Sequence, residues 1–224
     1  MFDVRLENIR WLEKEIQRYE QQEILPGKIL FYGDSSFTQW QPAYGHRAME
    51  EDLRASDGSV AVVNHGFGTS TAEEQLYFYD RMVRPWQPRA LVSVTRGNDW
   101  AAGYSAAEVL FLQSRLFEYA RRDMPGIRIF ACNSQPNIKS GEAGSNALSH
   151  EWEYNRLLAD YCRRHDDCTL VDHWAEPTFF ADPDRPHDHS NLRPELYQAD
   201  KTHFNQEGYD LYAVFFRKVL KDLL

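Results

Sequence analysis

The sequence predicts an α/β fold in which one parallel sheet is covered by helices on both faces. Short apolar runs alternate along the chain with segments whose apolar residues recur at helical spacing. Strands that are separated by helices pair in parallel, because a parallel connection needs a crossover of about a dozen residues or more. The chain has 224 residues, of which 42% are hydrophobic, enough for a sizeable core. We expect a single domain over residues 1–224, with residues 1–25 as an N-terminal helical extension.

The predicted elements follow one another in regular order. Strands are expected at about residues 28–33, 60–64, 89–95, 127–132 and 168–172. Helices are expected near residues 3–22, 40–54, 71–83, 105–123, 147–165 and 206–222. The first helix precedes the first strand as an extra element, and its apolar side carries Leu6, Ile9, Leu12 and Ile16.

Charge and hydropathy exclude several classes of partner. The formal net charge of −9 repels nucleic-acid backbones and anionic membranes, so we expect no nucleic-acid partner. No segment approaches the roughly 20 apolar residues of a membrane span. The N-terminal residues MFDVRLENIR lack the apolar centre of a secretory signal. We therefore expect a cytoplasmic protein without a membrane span; the sequence leaves the oligomeric state open.

Three further patterns bear on whether the protein binds a metal or a cofactor. Cys132, Cys162 and Cys168 are an odd number without metal-type pairing, so we expect buried or free thiols. The segment 182–189 holds carboxylates and imidazoles, but its prolines favour an irregular exposed loop over a metal site. The glycine-rich GFGTST lacks both the Lys-Ser/Thr of a P-loop and a full GxGxxG. We expect neither metal nor cofactor.

Three residues form a candidate hydrolytic site in the chain order Ser, Asp, His. Ser35 ends the apolar run KILFYGDSS, and Asp200 and His203 lie just ahead of the last amphipathic segment. A serine hydroxyl is a poor nucleophile unless a base takes its proton, and a carboxylate that orients the base improves it. An Asp three residues before a His reaches the imidazole Nδ1 within one turn, which leaves Nε2 to face the serine. Each motif alone has a plain alternative: an ordinary turn before a helix for Ser35, and a surface histidine for His203.

Acyl transfer also needs hydrogen-bond donors where the oxyanion develops. Asn98 follows the apolar run RALVSVT and places an amide at a strand end. The loop after VAVVN contains Gly68 and Thr69, and its glycines allow backbone N–H groups to turn towards a ligand. Gly68 or Thr69 is the second expected donor, and the sequence does not choose between them. His65, beside this loop, has no carboxylate at a matching spacing, and we expect it to hydrogen-bond locally.

Four blocks thus follow one another along the chain: the first holds Ser35, the second Gly68 and Thr69, the third Asn98, and the fourth Asp200 and His203. With these blocks in order, the chain resembles the SGNH, or GDSL, hydrolase family from about Lys28 onward. The resemblance implies a three-layer, flavodoxin-like α/β/α sandwich with five parallel strands in the order 2-1-3-4-5. It also implies that Ser35 is the nucleophile and that Asp200 and His203 complete the triad. Its oxyanion hole would consist of the Ser35 N–H, the Gly68 or Thr69 N–H, and Asn98.

Two positions depart from the family pattern. The second-block glycine, counted from Asn64, falls on Thr69, and the glycine two residues before Asn98 falls on Arg96. A backbone donor survives the first change, whereas the second places a large cation beside the site.

The resemblance implies a carboxylic ester hydrolase that acts on a small-molecule ester, and we expect short acyl chains to be preferred. Lipid, aryl, thioester and acetylated-sugar substrates all remain open. Two alternatives also remain: acyl transfer to an alcohol at the same site, and a non-catalytic module that binds acylated carbohydrate. Five aromatic residues flank the motifs and belong either to the core or to an acyl pocket: Phe37, Trp40, Phe67, Trp100 and Phe204.

Overall fold

The computed structural model describes residues 9–95, 97–142 and 144–224. Its five strands are β1 (Ile29–Gly33), β2 (Val62–Gly66), β3 (Ala90–Ser93), β4 (Arg128–Cys132) and β5 (Cys168–Val171). They form one sheet in the order β2-β1-β3-β4-β5, and each neighbouring pair is parallel. The predicted fold class and strand order are confirmed.

Eight α-helices surround the sheet in the described residues. They are α1 (Ile9–Glu20), α2 (Ser35–Thr38), α3 (Met49–Asp52), α4 (Ala72–Met82), α5 (Gly97–Ala101), α6 (Ala106–Asp123), α7 (Ala147–Cys162) and α8 (Gln206–Val219). On one face, α1, α4, α6 and α7 cover one apolar cluster; on the other, α3 and α8 cover a second. Side chains alternate along β1 between the two clusters, with Leu30 and Tyr32 in one and Ile29 and Phe31 in the other. Because both faces of β1 are buried, its residues are apolar at successive positions rather than at alternate ones.

The predicted helix over residues 40–54 is wrong as a continuous element. A short 3-10 turn, Pro42–Tyr44, is followed by Gly45 at φ 81°, and helix α3 begins only at Met49. The left-handed backbone at Gly45 ends the turn, because an α-helix cannot pass through that conformation. The helical spacing of the apolar residues in this segment arises because Trp40, Met49 and Leu53 are all buried in the core. It does not indicate one continuous helix.

Other departures concern short elements and chain boundaries. Helices α2 and α5 were not predicted, because four or five residues are too few to show helical periodicity. The predicted first helix is described from Ile9, and residues 3–8 lie outside the described part. No described helix is both long and apolar enough to cross a membrane. All three cysteines are buried as free thiols, and the sulfur atoms of Cys162 and Cys168 lie 3.4 Å apart.

The end of β2 packs closely against α2. An ideal Cβ at Gly66 would lie 2.3 Å from the backbone nitrogen of Thr38 and 2.7 Å from the carbonyl carbon of Phe37. Backbone atoms of a packed helix cannot move aside as a flexible side chain does. Glycine at this position therefore allows α2, which carries Ser35, to lie against the sheet edge.

We predict that Gly66→Ala lowers the free energy of unfolding by about 3 kcal/mol, the upper end of ordinary overpacking costs. Urea unfolding measures the change. Gly97→Ala is the matched control, because a Cβ at Gly97 meets no atom within 4 Å. Equal stability of the two variants would mean that the contact between β2 and α2 relaxes without cost.

Candidate active site

The predicted site residues meet at the carboxyl edge of the sheet. Ser35 follows β1 after Asp34, Gly68 and Thr69 follow β2, and Asn98 follows β3 on helix α5. The segment with Asp200 and His203 precedes α8 and reaches the same edge, where open α/β sheets bind ligands. The structure thus brings together all six side chains or backbone groups that the sequence singled out.

Ser35 is held at the first position of α2. Asp34 caps this helix, and its Oδ1 accepts hydrogen bonds from the Ser36 N–H (2.8 Å) and the Ser36 hydroxyl (2.7 Å). The cap fixes the turn that points the Ser35 hydroxyl outward. No described residue accepts a hydrogen bond from the Ser35 N–H, so this donor faces the cleft.

His203 bridges Ser35 and Asp200. Its Nε2 lies 2.8 Å from Ser35 Oγ, and its Nδ1 lies 2.6 Å from Asp200 Oδ2. The other carboxylate oxygen of Asp200 accepts hydrogen bonds from the backbone N–H groups of Thr202 (2.9 Å) and His203 (3.0 Å). Lys201 has a φ of 59°, and this left-handed residue turns the chain so that Asp200 folds back onto His203.

The electrostatics keep Asp200 ionised. Burial raises the pKa of its carboxyl, but the hydrogen bonds from the His203 side chain and from the backbone of His203 and Thr202 outweigh that effect, and the net pKa is lowered. An ionised Asp200 accepts from Nδ1–H, which leaves Nε2 unprotonated when the imidazole is neutral. In that tautomer Nε2 is free to accept a proton from the Ser35 hydroxyl, which lies 2.8 Å away.

Thr69 and Gly68 differ in what their N–H groups do. The Gly68 N–H donates to Glu15 Oε2 at 3.3 Å, whereas no described residue accepts from the Thr69 N–H. Thr69 also has a φ of 65°, a left-handed conformation that favours glycine. This agrees with the glycine that the resemblance to the SGNH family implies at this position. Asn98 uses one N–H of its amide on the Ser70 carbonyl at 3.1 Å, which leaves the second for a ligand.

A buried carboxyl group, Asp99, was not identified from the sequence. Its oxygens accept hydrogen bonds from the Thr95 hydroxyl (2.5 Å) and from the Ala72 N–H (2.7 Å) at the start of α4. Burial raises the pKa of Asp99 to about 7, although these hydrogen bonds act in the opposite direction. Asp99 thus ties α5, which carries Asn98, to the end of the loop that carries Thr69. In the sequence, the position of Asp99 directly after Asn98 is the only indication of this role.

Two clefts open on either side of Ser35. The larger, of about 510 Å³, is walled by the loop with Thr69 and by α1, which contributes Trp11 and Glu15. Most of the residues that line the smaller, of about 240 Å³, are polar, among them Asn137 and Ser140. Sequence reasoning missed α1 as a wall, because its exposed side chains lie far from the motifs in sequence.

The aromatic residues that flank the motifs mostly belong to the core. Phe37, Trp40, Phe67 and Phe204 are fully buried, and Trp100 stacks partly buried on His150. The aromatic side chains at the larger cleft are instead Trp11 and Tyr44, both exposed.

Three other features of the sequence concern His65, Arg96 and the possible metal site. His65 is buried, its Nδ1 lies 2.8 Å from the Met82 carbonyl oxygen, and burial lowers its pKa to about 4, so its role is local. Arg96 lies outside the described residues. Within the described part of the chain, no three His, Cys, Asp or Glu side chains are grouped as metal ligands would be.

Comparisons with known proteins give a match to one family and to several solved structures. The profile of the GDSL-like Lipase/Acylhydrolase family matches residues 31–211. Among curated protein sequences, none matches the chain. Similar solved structures include a protein from Bacteroides fragilis provisionally described as an acylhydrolase, with a TM-score of 0.72 and 17% identity over 99% of both chains. A GDSL-like lipase from Bacteroides thetaiotaomicron has a TM-score of 0.70 and 15% identity over 97% of this chain and 98% of its own. A lipase/acylhydrolase from Enterococcus faecalis has a TM-score of 0.67 and 20% identity over 88% and 96%, respectively. At such identities these structures show the shared fold.

We predict that ester turnover falls as the pH is lowered, because only a neutral His203 imidazole accepts the Ser35 proton. Asp200, whose pKa is lowered, remains ionised and keeps orienting the imidazole. A plot of kcat/KM against pH should therefore fall on its acid side, with a slope that corresponds to the protonation of one group. A profile that is flat from about pH 5 to 9 would contradict a base role for His203.

Proposed function

The chain belongs to the GDSL-like lipase/acylhydrolase family, whose members hydrolyse ester bonds, and we propose that it cleaves carboxylic esters through an acyl-enzyme on Ser35. The observation that carries the proposal is the bridging position of His203, at hydrogen-bond distance from both Ser35 Oγ (2.8 Å) and Asp200 Oδ2 (2.6 Å). A base that is oriented by a third group and that touches the hydroxyl is the arrangement that activates serine. In this proposal the reaction needs no cofactor.

In the first half-reaction, Ser35 Oγ attacks the acyl carbon and its proton passes to His203 Nε2. The electrons of the carbonyl double bond move to its oxygen. When the tetrahedral intermediate collapses, the bond to the alcohol oxygen breaks, and the alcohol takes the proton from His203. The acyl group is then bonded to Ser35, and Asp200 has stabilised the transient imidazolium.

In the second half-reaction, water takes the place of the alcohol. His203 accepts a proton from water as its oxygen attacks the acyl carbon. The second tetrahedral intermediate collapses by breaking the bond to Ser35 Oγ, which receives the proton back from His203. A carboxylic acid is released and the free enzyme is restored.

Three donors are proposed for the oxyanion that forms in both halves: the N–H groups of Ser35 and Thr69 and the side-chain amide of Asn98. Thr69 is preferred over Gly68 because the Gly68 N–H already donates to Glu15. Donors that are oriented before reaction stabilise the developing charge without the cost of reorganisation.

The proposed substrate is an ester with a short acyl chain. Lys14, Glu15 and Arg18 of α1 form part of the wall of the larger cleft, and most residues that line the smaller cleft are polar. Methylene groups gain little free energy beside charged or wet surfaces, because they remain in contact with water. A few carbons near Ser35 are the part of an acyl chain that these clefts shelter.

The principal test of the proposed function is Ser35→Ala. We expect the variant to lose nearly all ester turnover, by several powers of ten, and to stay unlabelled by a fluorophosphonate ester. Ser59→Ala is the matched control, because Ser59 is an exposed serine in the turn before β2, at the opposite edge of the sheet. Turnover by Ser35→Ala within about tenfold of the parent would mean that another group is the nucleophile. A parent protein that resists labelling would favour a binding module instead.

Acyl-chain preference is tested with p-nitrophenyl esters from acetate to palmitate, below micelle-forming concentrations. We expect kcat/KM to be highest from acetate to butyrate, because each further methylene contributes up to about 0.8 kcal/mol only where it meets a dry apolar wall. An optimum at decanoate or longer would overturn the short-chain preference.

A further inference from the structure

The N-terminal helix α1 holds the loop after β2 at two points. The Tyr19 hydroxyl donates to the Gly66 carbonyl at 2.5 Å, and Tyr19 is buried. One turn earlier, Glu15 Oε2 accepts from the Gly68 N–H at 3.3 Å. The two contacts lie on either side of Phe67, whose own N–H donates to the carbonyl of Gly33 in β1 at 2.9 Å. Two successive peptide groups, Gly66–Phe67 and Phe67–Gly68, are therefore held from two directions.

Thr69, the next residue along the chain, needs such support. A left-handed φ of 65° at a β-branched residue is sterically strained and persists only where its surroundings impose it. A glycine at this position would adopt the same conformation without that strain. Beyond Thr69, the loop is held again, by the hydrogen bond from the Asn98 amide to the Ser70 carbonyl at 3.1 Å.

The charge of Glu15 is balanced within α1. Its carboxylate lies 3.2 Å from the Arg18 guanidinium, which in turn lies over the Tyr19 ring at 5.0 Å. The Glu15 side chain is only 19% exposed, so its position is well defined by these neighbours. An unpaired carboxylate near a developing oxyanion would repel it, and the guanidinium reduces that repulsion.

We propose that Glu15 is a positioning residue for the oxyanion hole: its carboxylate fixes the Gly68 N–H and thereby keeps the Thr69 N–H directed at the reacting centre. This inference rests on the proposed function. Glu15 does not touch the reacting atoms; it acts through the peptide groups of Gly68 and Thr69.

Three variants separate this role from general support of the fold. Glu15→Ala should lower kcat about tenfold with little change in KM, a fraction of the effect of losing an oxyanion donor outright. Glu15→Gln keeps an oxygen acceptor and should stay within about threefold of the parent. Glu13→Ala is the control, because Glu13 lies on the same helix and anchors it to Arg81 of α4 through two hydrogen bonds of 2.8 and 2.9 Å without touching the loop. It should keep its kcat.

A double variant tests the link to Thr69. In a Thr69→Gly background the loop no longer carries the cost of the left-handed threonine, so Glu15→Ala should lower kcat by a smaller factor than it does beside Thr69. An equal loss in both backgrounds would overturn the coupling between the two residues.

Hydrogen exchange of the Gly68 amide gives a readout that does not depend on turnover. Glu15→Ala should speed this exchange, whereas Glu13→Ala should not. The proposal is overturned if Glu15→Ala leaves both exchange and kcat unchanged, or if Glu13→Ala reproduces both effects. A further outcome is that the parent turns over no ester while Glu15→Ala still accelerates exchange. In that case the proposed function would be wrong, but the role of Glu15 in holding the Gly68 N–H would be supported.

Discussion

The parallel register of β1 between β2 and β3 is the constraint on which the site depends. Gly33 is opposite Gly66, and Tyr32 is opposite both His65 and Ser93. Three strands therefore end at one level, and the residue that follows each end is delivered to the same edge. Both faces of β1 are buried, so a slip in register would move its apolar side chains into the wrong cluster. Core packing thus sets where the Ser35 hydroxyl lies.

The site combines two kinds of geometry. The turn from Asp200 to His203 is local: its backbone N–H groups and one left-handed residue orient the carboxylate without help from distant parts of the chain. The donors around the expected oxyanion come from the three segments that follow β1, β2 and β3, and an outlying helix, α1, holds one of these segments. A local turn is encoded by a four-residue motif, whereas an assembled hole depends on every element that packs against it.

This difference explains what the sequence predicted and what it did not. Apolar runs gave the five strands, since buried parallel strands are apolar throughout, and short motifs gave Ser35, Asp200, His203 and Asn98. The choice between Gly68 and Thr69 could not be made, because it turns on a hydrogen bond to Glu15, a residue 53 positions away. The wall formed by Trp11 was missed for the same reason. The predicted helix over residues 40–54 failed because burial of Trp40 and Met49 imitates helical periodicity across a turn that Gly45 breaks.

The hydrogen bond between Ser35 and His203 joins residues 168 positions apart in the chain. Closing so long a loop costs entropy that only a packed structure recovers. On the proposed mechanism, Ser35 emerges with β1 during synthesis long before its base, so its hydroxyl is not activated through most of translation. Loosening of the turn from Asp200 to His203 would likewise leave the serine without the proposed base. On that mechanism, reactivity depends on the docking of one distant segment and is gained only once that segment has folded.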